Sequence, residues 1–226
     1  MIPNNYWSKW IPYDYAHFSY LDYHPSLDWA YANISLSSYD EAFIWGELNI
    51  SPRINNTLTI AEKMVEIRGH YKFTFDVIDP LAGVTQVNTT RSTVQDLNDY
   101  FYEFKKQGIC EGAYFVPADT KSERGRLKIK ERLNNSDKCK TPFNNERIER
   151  GVKTYLPTLW VLAPCKQARI SLKSWREEKG KPTVAYSHHC TGIEFLMKDT
   201  KFRAPLRVTE RVPDRVMPSY FQGRRR

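Results

Sequence analysis

The chain has 226 residues, a mass of 26.6 kDa and a formal net charge of +8. Its hydrophobic content of 41%, with 14% aromatic residues, excludes a disordered chain and is enough for a core that needs no disulfide staples. No apolar run is long enough to span a bilayer, and the N-terminus lacks the basic and apolar regions of a secretory signal, so an intracellular or virion location is expected.

The charge is unevenly distributed. Residues 1–120 carry a balance of −7 and residues 121–226 a balance of +15, while 22 of the 31 aromatic residues lie in the first part. A basic half that ends in three arginines points to a polyanionic partner, nucleic acid above all. Four cysteines, Cys110, Cys139, Cys165 and Cys190, lack any Cys-x-x-Cys spacing and read as buried thiols.

Residues 1–29 are rich in proline and aromatics and predict an extended arm that packs across a sheet. Ala30, Ala32, Ile34 and Leu36 alternate with Tyr31, Asn33 and Ser35, a strand pattern, and 42–50 is apolar on both faces, as a central strand is. The longest alternation covers 65–77 and predicts one long strand. It competes with a short helix over 60–68, signalled by Thr59 and Glu62 as a capping box. Asp79-Pro80-Leu81-Ala82-Gly83 is a turn. Ser92 and Gln95 form a second capping-box pattern, with Val94, Leu97, Phe101 and Phe104 in one stripe and Gly108 at the far end, which predicts a helix over 93–106.

Residues 112–117 read as a further strand, and 118–153 as a long basic insertion. The segments 158–163 and 168–174 suggest a hairpin. Short strands are predicted over 183–187 and 192–197, and a last one near 206–212. These elements imply a mainly β fold, a β-sandwich or jelly-roll-like pair of sheets with one clear helix; an α+β sheet with flanking helices is the alternative. The implied organisation is an arm (1–29), a single β-rich domain (30–216) and a basic tail (217–226).

The strongest functional signal is the basic half. Arg124, Arg126, Lys128, Lys130, Arg132, Arg203, Arg207, Arg211, Arg215, Arg224, Arg225 and Arg226 are the candidate nucleic-acid contacts, since cationic side chains gain affinity by releasing counterions from phosphates. The favoured reading is a structural or assembly subunit of a nucleoprotein particle, such as a viral or phage particle, that binds nucleic acid and neighbouring subunits or copies of itself. No catalytic residue, cofactor or metal is assigned on this reading.

The alternative is a metal-dependent enzyme acting on nucleic acid, for which clustered carboxylates are the requirement and Asp76 and Asp79 are the candidates. Glycine-rich phosphate loops and Gly-x-Ser-x-Gly are absent. The triplet His188-His189-Cys190 is conspicuous, but adjacent histidines on a strand face opposite ways and do not readily share one metal.

Overall fold

The computed structural model describes residues 11–38, 40–85, 90–119, 124–133, 149, 157–175, 177–178, 181–182 and 187–205. Three antiparallel strands open the chain: β1 (Ala16–Asp22), β2 (Trp29–Leu36) and β3 (Ala42–Ile50). Helix α1 (Thr57–Arg68) then crosses to β4 (Phe73–Ile78), which lies parallel to β1, and α2 (Thr93–Lys106) crosses to β5 (Phe115–Pro117), parallel to β4. A parallel neighbour requires a crossover of this kind, because a tight turn only joins antiparallel strands. After α3 (Arg124–Leu133), β6 (Leu159–Val161) adds in parallel to β3. The resulting sheet has the order β5-β4-β1-β2-β3-β6. Helix α4 (Lys166–Ser174), the short hairpin β7 (Glu177–Glu178) and β8 (Lys181–Pro182), and α5 (His188–Lys198) complete the described residues.

Both faces of this one sheet are covered by helices. On one face Phe18, Tyr20, Ile34, Ile44, Phe75 and Val77 pack with Ile129 of α3, Ala168 of α4 and Ile193, Leu196 and Met197 of α5. On the other, Leu21, Tyr31, Ile50 and Ile78 pack with Ile60 and Met64 of α1 and Leu97 and Phe101 of α2. This is a mixed α/β layer structure, not a β-sandwich or jelly roll.

The expectation of a mainly β chain fails for identifiable reasons. The alternation over 65–77 straddles the end of α1, a loop and β4, so its period belongs to no single element. Helix α1 starts at the Asn56 cap, whose side chain accepts from the Thr59 N–H, and it buries Ile60, Ala61, Met64 and Arg68. A buried arginine in that set hides the apolar stripe. Residues 168–174 and 192–197, predicted as strands, are helices. Helix α4 buries small residues, Ala168 and Ser171, while α5 is buried nearly all round, so neither shows a clean stripe. Helix α2 forms as predicted, with the reciprocal Ser92–Gln95 capping box in place. The predicted strands at 183–187 and near 206–212 lie outside the described residues, apart from Ser187, which caps α5, and the segment expected as an arm contributes the interior strand β1.

Candidate active site at the ends of β1 and β4

Side chains two apart on a strand share a face. Phe18 and Tyr20 of β1 face α5, so Asp22 at the end of the strand does too; Phe75 and Val77 of β4 face α5, and so does Asp79 just past its end. Tyr20 pairs with Val77 and Leu21 with Ile78 across the parallel ladder, and the Asp79 N–H donates to the Leu21 carbonyl at 2.9 Å. The two carboxylates therefore sit at the same end of adjacent strands, on the same face. Asp22 is buried and Asp79 half-buried.

A third group arrives from α5. His188, its first residue, places Nδ1 2.7 Å from Asp22 Oδ2. A carboxylate only accepts, so Nδ1–H is the donor. What brings the helix so close is Gly192: an added Cβ there would run into the Tyr20 ring, so only glycine allows α5 to settle on β1 at this depth. Gly125 does the same for α3, whose backbone meets the Glu194 carbonyl of α5.

The residues behind His188 hold the helix start in place. His189 turns inward, with Nδ1 2.6 Å from the Tyr20 hydroxyl and Nε2 3.1 Å from Asn49 Oδ1. Burial, aided by the charge of His188, lowers its pKa to about 4. The ring is thus neutral, donating from Nε2 and accepting at Nδ1. Glu47 accepts from the Gln167 and Ala168 N–H groups at 3.0 and 2.9 Å, placing a carboxylate on the N-terminus of α4. Glu47 and Asn49 reach this face because the β2–β3 register shifts at Asn33/Ile34, a bulge that re-aims the side chains beyond it.

The electrostatics set this end of the sheet apart. Burial raises the pKa of Asp22, and the hydrogen bond and charge of His188 only partly offset it. Asp79 is also raised by burial, with the neighbouring Asp22 charge adding to it and the Leu81 N–H working against it. His188 is raised by its hydrogen bond to Asp22. Two carboxylates held side by side in a partly desolvated site gain from any cation that neutralises them.

The two sequence candidates for a metal-dependent enzyme part company. Asp76 lies on the opposite face from Asp79, since three residues separate them. There it is buried and paired with Arg68 at 2.6 Å, within a network that includes Ser19, Tyr31 and the Gly112 carbonyl. Burial alone would lower the Arg68 pKa, but Asp76 and Tyr31 more than reverse this and keep it charged. Asp76 is a structural counter-ion. Asp22 is absent from the residues that the sequence singles out, and His188 has no such role there. The usable signal was an apolar, period-2 strand ending in a carboxylate, hidden in a segment read as an arm.

The basic candidates are partly assembled. Arg124, Arg126, Lys128, Lys130 and Arg132 lie on α3, which packs against α5 on the face that holds the site. Arg132 bonds Asp40 at 2.6 Å and Arg126 lies 4.0 Å from Glu194. Arg203 is exposed. Arg207, Arg211, Arg215, Arg224, Arg225 and Arg226 lie outside the described residues.

No protein-family model matches the chain, and no curated protein matches it. Solved structures do. The large terminase of a thermophilic bacteriophage, in complex with ADP, aligns with a TM-score of 0.53 and 11% identity, over 85% of this chain and 41% of that one. The same terminase with ATP-gamma-S gives 0.51 at 12% identity. The P22 large terminase nuclease domain aligns with a TM-score of 0.52 and 11% identity, over 83% of either chain. The chain thus spans about two fifths of the thermophilic phage's terminase and most of the isolated nuclease domain. At these identities the likeness is one of fold, a fold shared with the P22 large terminase nuclease domain.

Proposed function

We propose that the protein is a metal-dependent nuclease that hydrolyses phosphodiesters of DNA, in a phage DNA-packaging or related nuclease role. The observation that carries this reading is the convergence of Asp22, Asp79 and His188 at the ends of two parallel strands. The shared fold with a terminase nuclease domain supports it, and it favours the enzyme alternative over a purely structural subunit.

Among the described residues no three His, Cys, Asp or Glu side chains are grouped to hold an ion in this arrangement. The donor chemistry nonetheless fits magnesium or manganese: two hard carboxylates on rigid strand ends, each desolvated beside the other. Asp22 and Asp79 are the residues that would hold it. A divalent cation bound there would polarise the phosphodiester and supply an activated water.

The chain's own contributions are distinct from that. Strands β1 and β4 fix the spacing of the carboxylates. His188 orients Asp22 through Nδ1–H, and that bond raises its pKa and so favours the protonated ring beside the site. On α3, Arg124, Lys128 and Lys130 meet the backbone of the bound strand farther out, and neighbouring subunits of a packaging assembly are the expected protein partners. Among the described residues no helix is long and apolar enough to cross a membrane.

The test is cleavage of plasmid DNA with manganese or magnesium, comparing the wild type with Asp22→Asn and Asp79→Asn. Metal-dependent nicking that disappears in both variants supports the reading. Undiminished cleavage in either variant, or none in the wild type, refutes it.

A further inference from the structure

A cleft of about 480 Å³ opens beside His188. Its walls come from the β1–β2 turn (Ser26 and Asp28), the end of β3 and the loop after it (Asn49, Ser51 and Arg53), and the start of α4 (Gln167). Because β3 runs antiparallel to β2, its end lies on the same edge of the sheet as Asp22 and Asp79. In the sheet order the carboxylates stand on β4 and β1, and the cleft continues past them over β2 and β3, with His188 as the shared wall.

The lining is chemically specific. Arg53 is exposed, and its Nε donates to the Ser26 carbonyl at 2.9 Å. That bond holds the guanidinium while leaving both terminal NH2 groups, the pair that grips a phosphate in bidentate fashion. Among the described residues no carboxylate pairs with Arg53. Asn49 accepts from His189 at its Oδ1 and is among the residues that line the cleft. The hydroxyls of Ser26 and Ser51 and the Gln167 amide add neutral hydrogen-bonding groups. Asp28, also in the lining, lies near His188.

We propose that this cleft is a phosphate subsite for the substrate strand, in which Arg53 grips a backbone phosphate flanking the scissile one and sets the strand's register over Asp22 and Asp79. The subsite rests on the nuclease reading, and Arg53 is a substrate-positioning residue on this account, not a ligand of the reacting centre.

The test uses the full chain and a labelled DNA duplex. Binding is followed by fluorescence anisotropy in calcium at several salt concentrations, with single neutral methylphosphonates walked along one strand. Cleavage of the same probe is followed separately in manganese. For the wild type, one position of the walk should weaken binding about tenfold. Arg53→Ala should weaken binding to a similar degree, lower the salt slope by about one and lose sensitivity at that position, while Arg53→Lys recovers part of the affinity. Wild-type affinity and an unaltered walk in Arg53→Ala overturn the subsite, whether or not the probe is cut. Arg53-dependent binding by a wild type that cuts nothing keeps the subsite and sinks the nuclease reading. A wild type that neither binds nor cuts ends both.

Discussion

On the α1/α2 face of β4, Asp76 is surrounded by partners: the Arg68 guanidinium, the Ser19 hydroxyl and the Tyr114 N–H all donate to it. Three residues later, on the α5 face, Asp79 has one local bond from the Leu81 N–H and a second carboxylate beside it. The residue type is the same and both stand at the end of β4, one within the strand and one just past it, and the roles diverge because the chain alternates faces. One aspartate neutralises a buried cation of the protein's own; the other, in the proposed function, is a ligand for a cation from solution. Stability and activity should therefore separate cleanly between the two faces.

The largest expected effect lies on the α5 face. Asp22→Asn or Asp79→Asn should lower metal-dependent cleavage roughly 10³-fold, equivalent to about 4 kcal/mol of transition-state stabilisation. Neither variant should lower the melting temperature, because each removes a carboxylate whose raised pKa marks it as unfavourable to the fold at neutral pH. A loss of activity that tracks unfolding would break the comparison.

Asp76→Asn should do the reverse. It leaves the Arg68 charge buried without its counter-ion, at a cost of about 3–5 kcal/mol in urea unfolding. If the variant is as stable as the wild type, the account of this face is wrong.

Acid should expose a further difference. His17, beside Tyr71, and His189, behind the site, both have pKa values lowered to about 4, chiefly by burial. Below the ordinary value of 6.5 the unfolded chain takes up these protons and the folded chain does not. Stability is therefore fully present above pH 6.5 and falls toward pH 4, by on the order of 3 kcal/mol for each ring at the limit. Substituting His189→Gln should flatten the pH dependence of unfolding; an unchanged slope would show that the ring is protonated in the fold.

Gly192→Ala should cost about 1–3 kcal/mol through overpacking against Tyr20, and should also depress cleavage, since it lifts His188 away from Asp22. The smallest effect is expected on α3: Lys128→Ala should weaken DNA binding a few-fold and reduce its salt dependence without altering the melting temperature.

Legibility in the sequence followed local signals. Helix α2 was readable because its capping box, apolar stripe and terminal glycine all agree. Strands β2 and β3 were readable, one from alternation and the other from apolar residues on both faces. Helices α4 and α5 were not, because small buried residues in one and all-round burial in the other erase the 3.6-residue period. Asp79 was named as a carboxylate at a strand end, but its partner was misassigned. Choosing Asp76 placed the pair on opposite faces, a conflict that the period of two already contains once β4 is known to end at Ile78. Asp22 needed the knowledge that β1 and β4 are parallel neighbours, a relation between distant parts of the chain that no local pattern encodes.

The most direct measurement is manganese binding by isothermal titration calorimetry, with the wild type, Asp22→Asn, Asp79→Asn and Asp76→Asn, at a temperature where all four are folded. The account predicts binding by the wild type and by Asp76→Asn, weakened at least about tenfold in each of the other two, since either one removes a ligand. No binding by the wild type, or equal affinity in all four proteins, would contradict the assignment of Asp22 and Asp79 as the metal-holding pair.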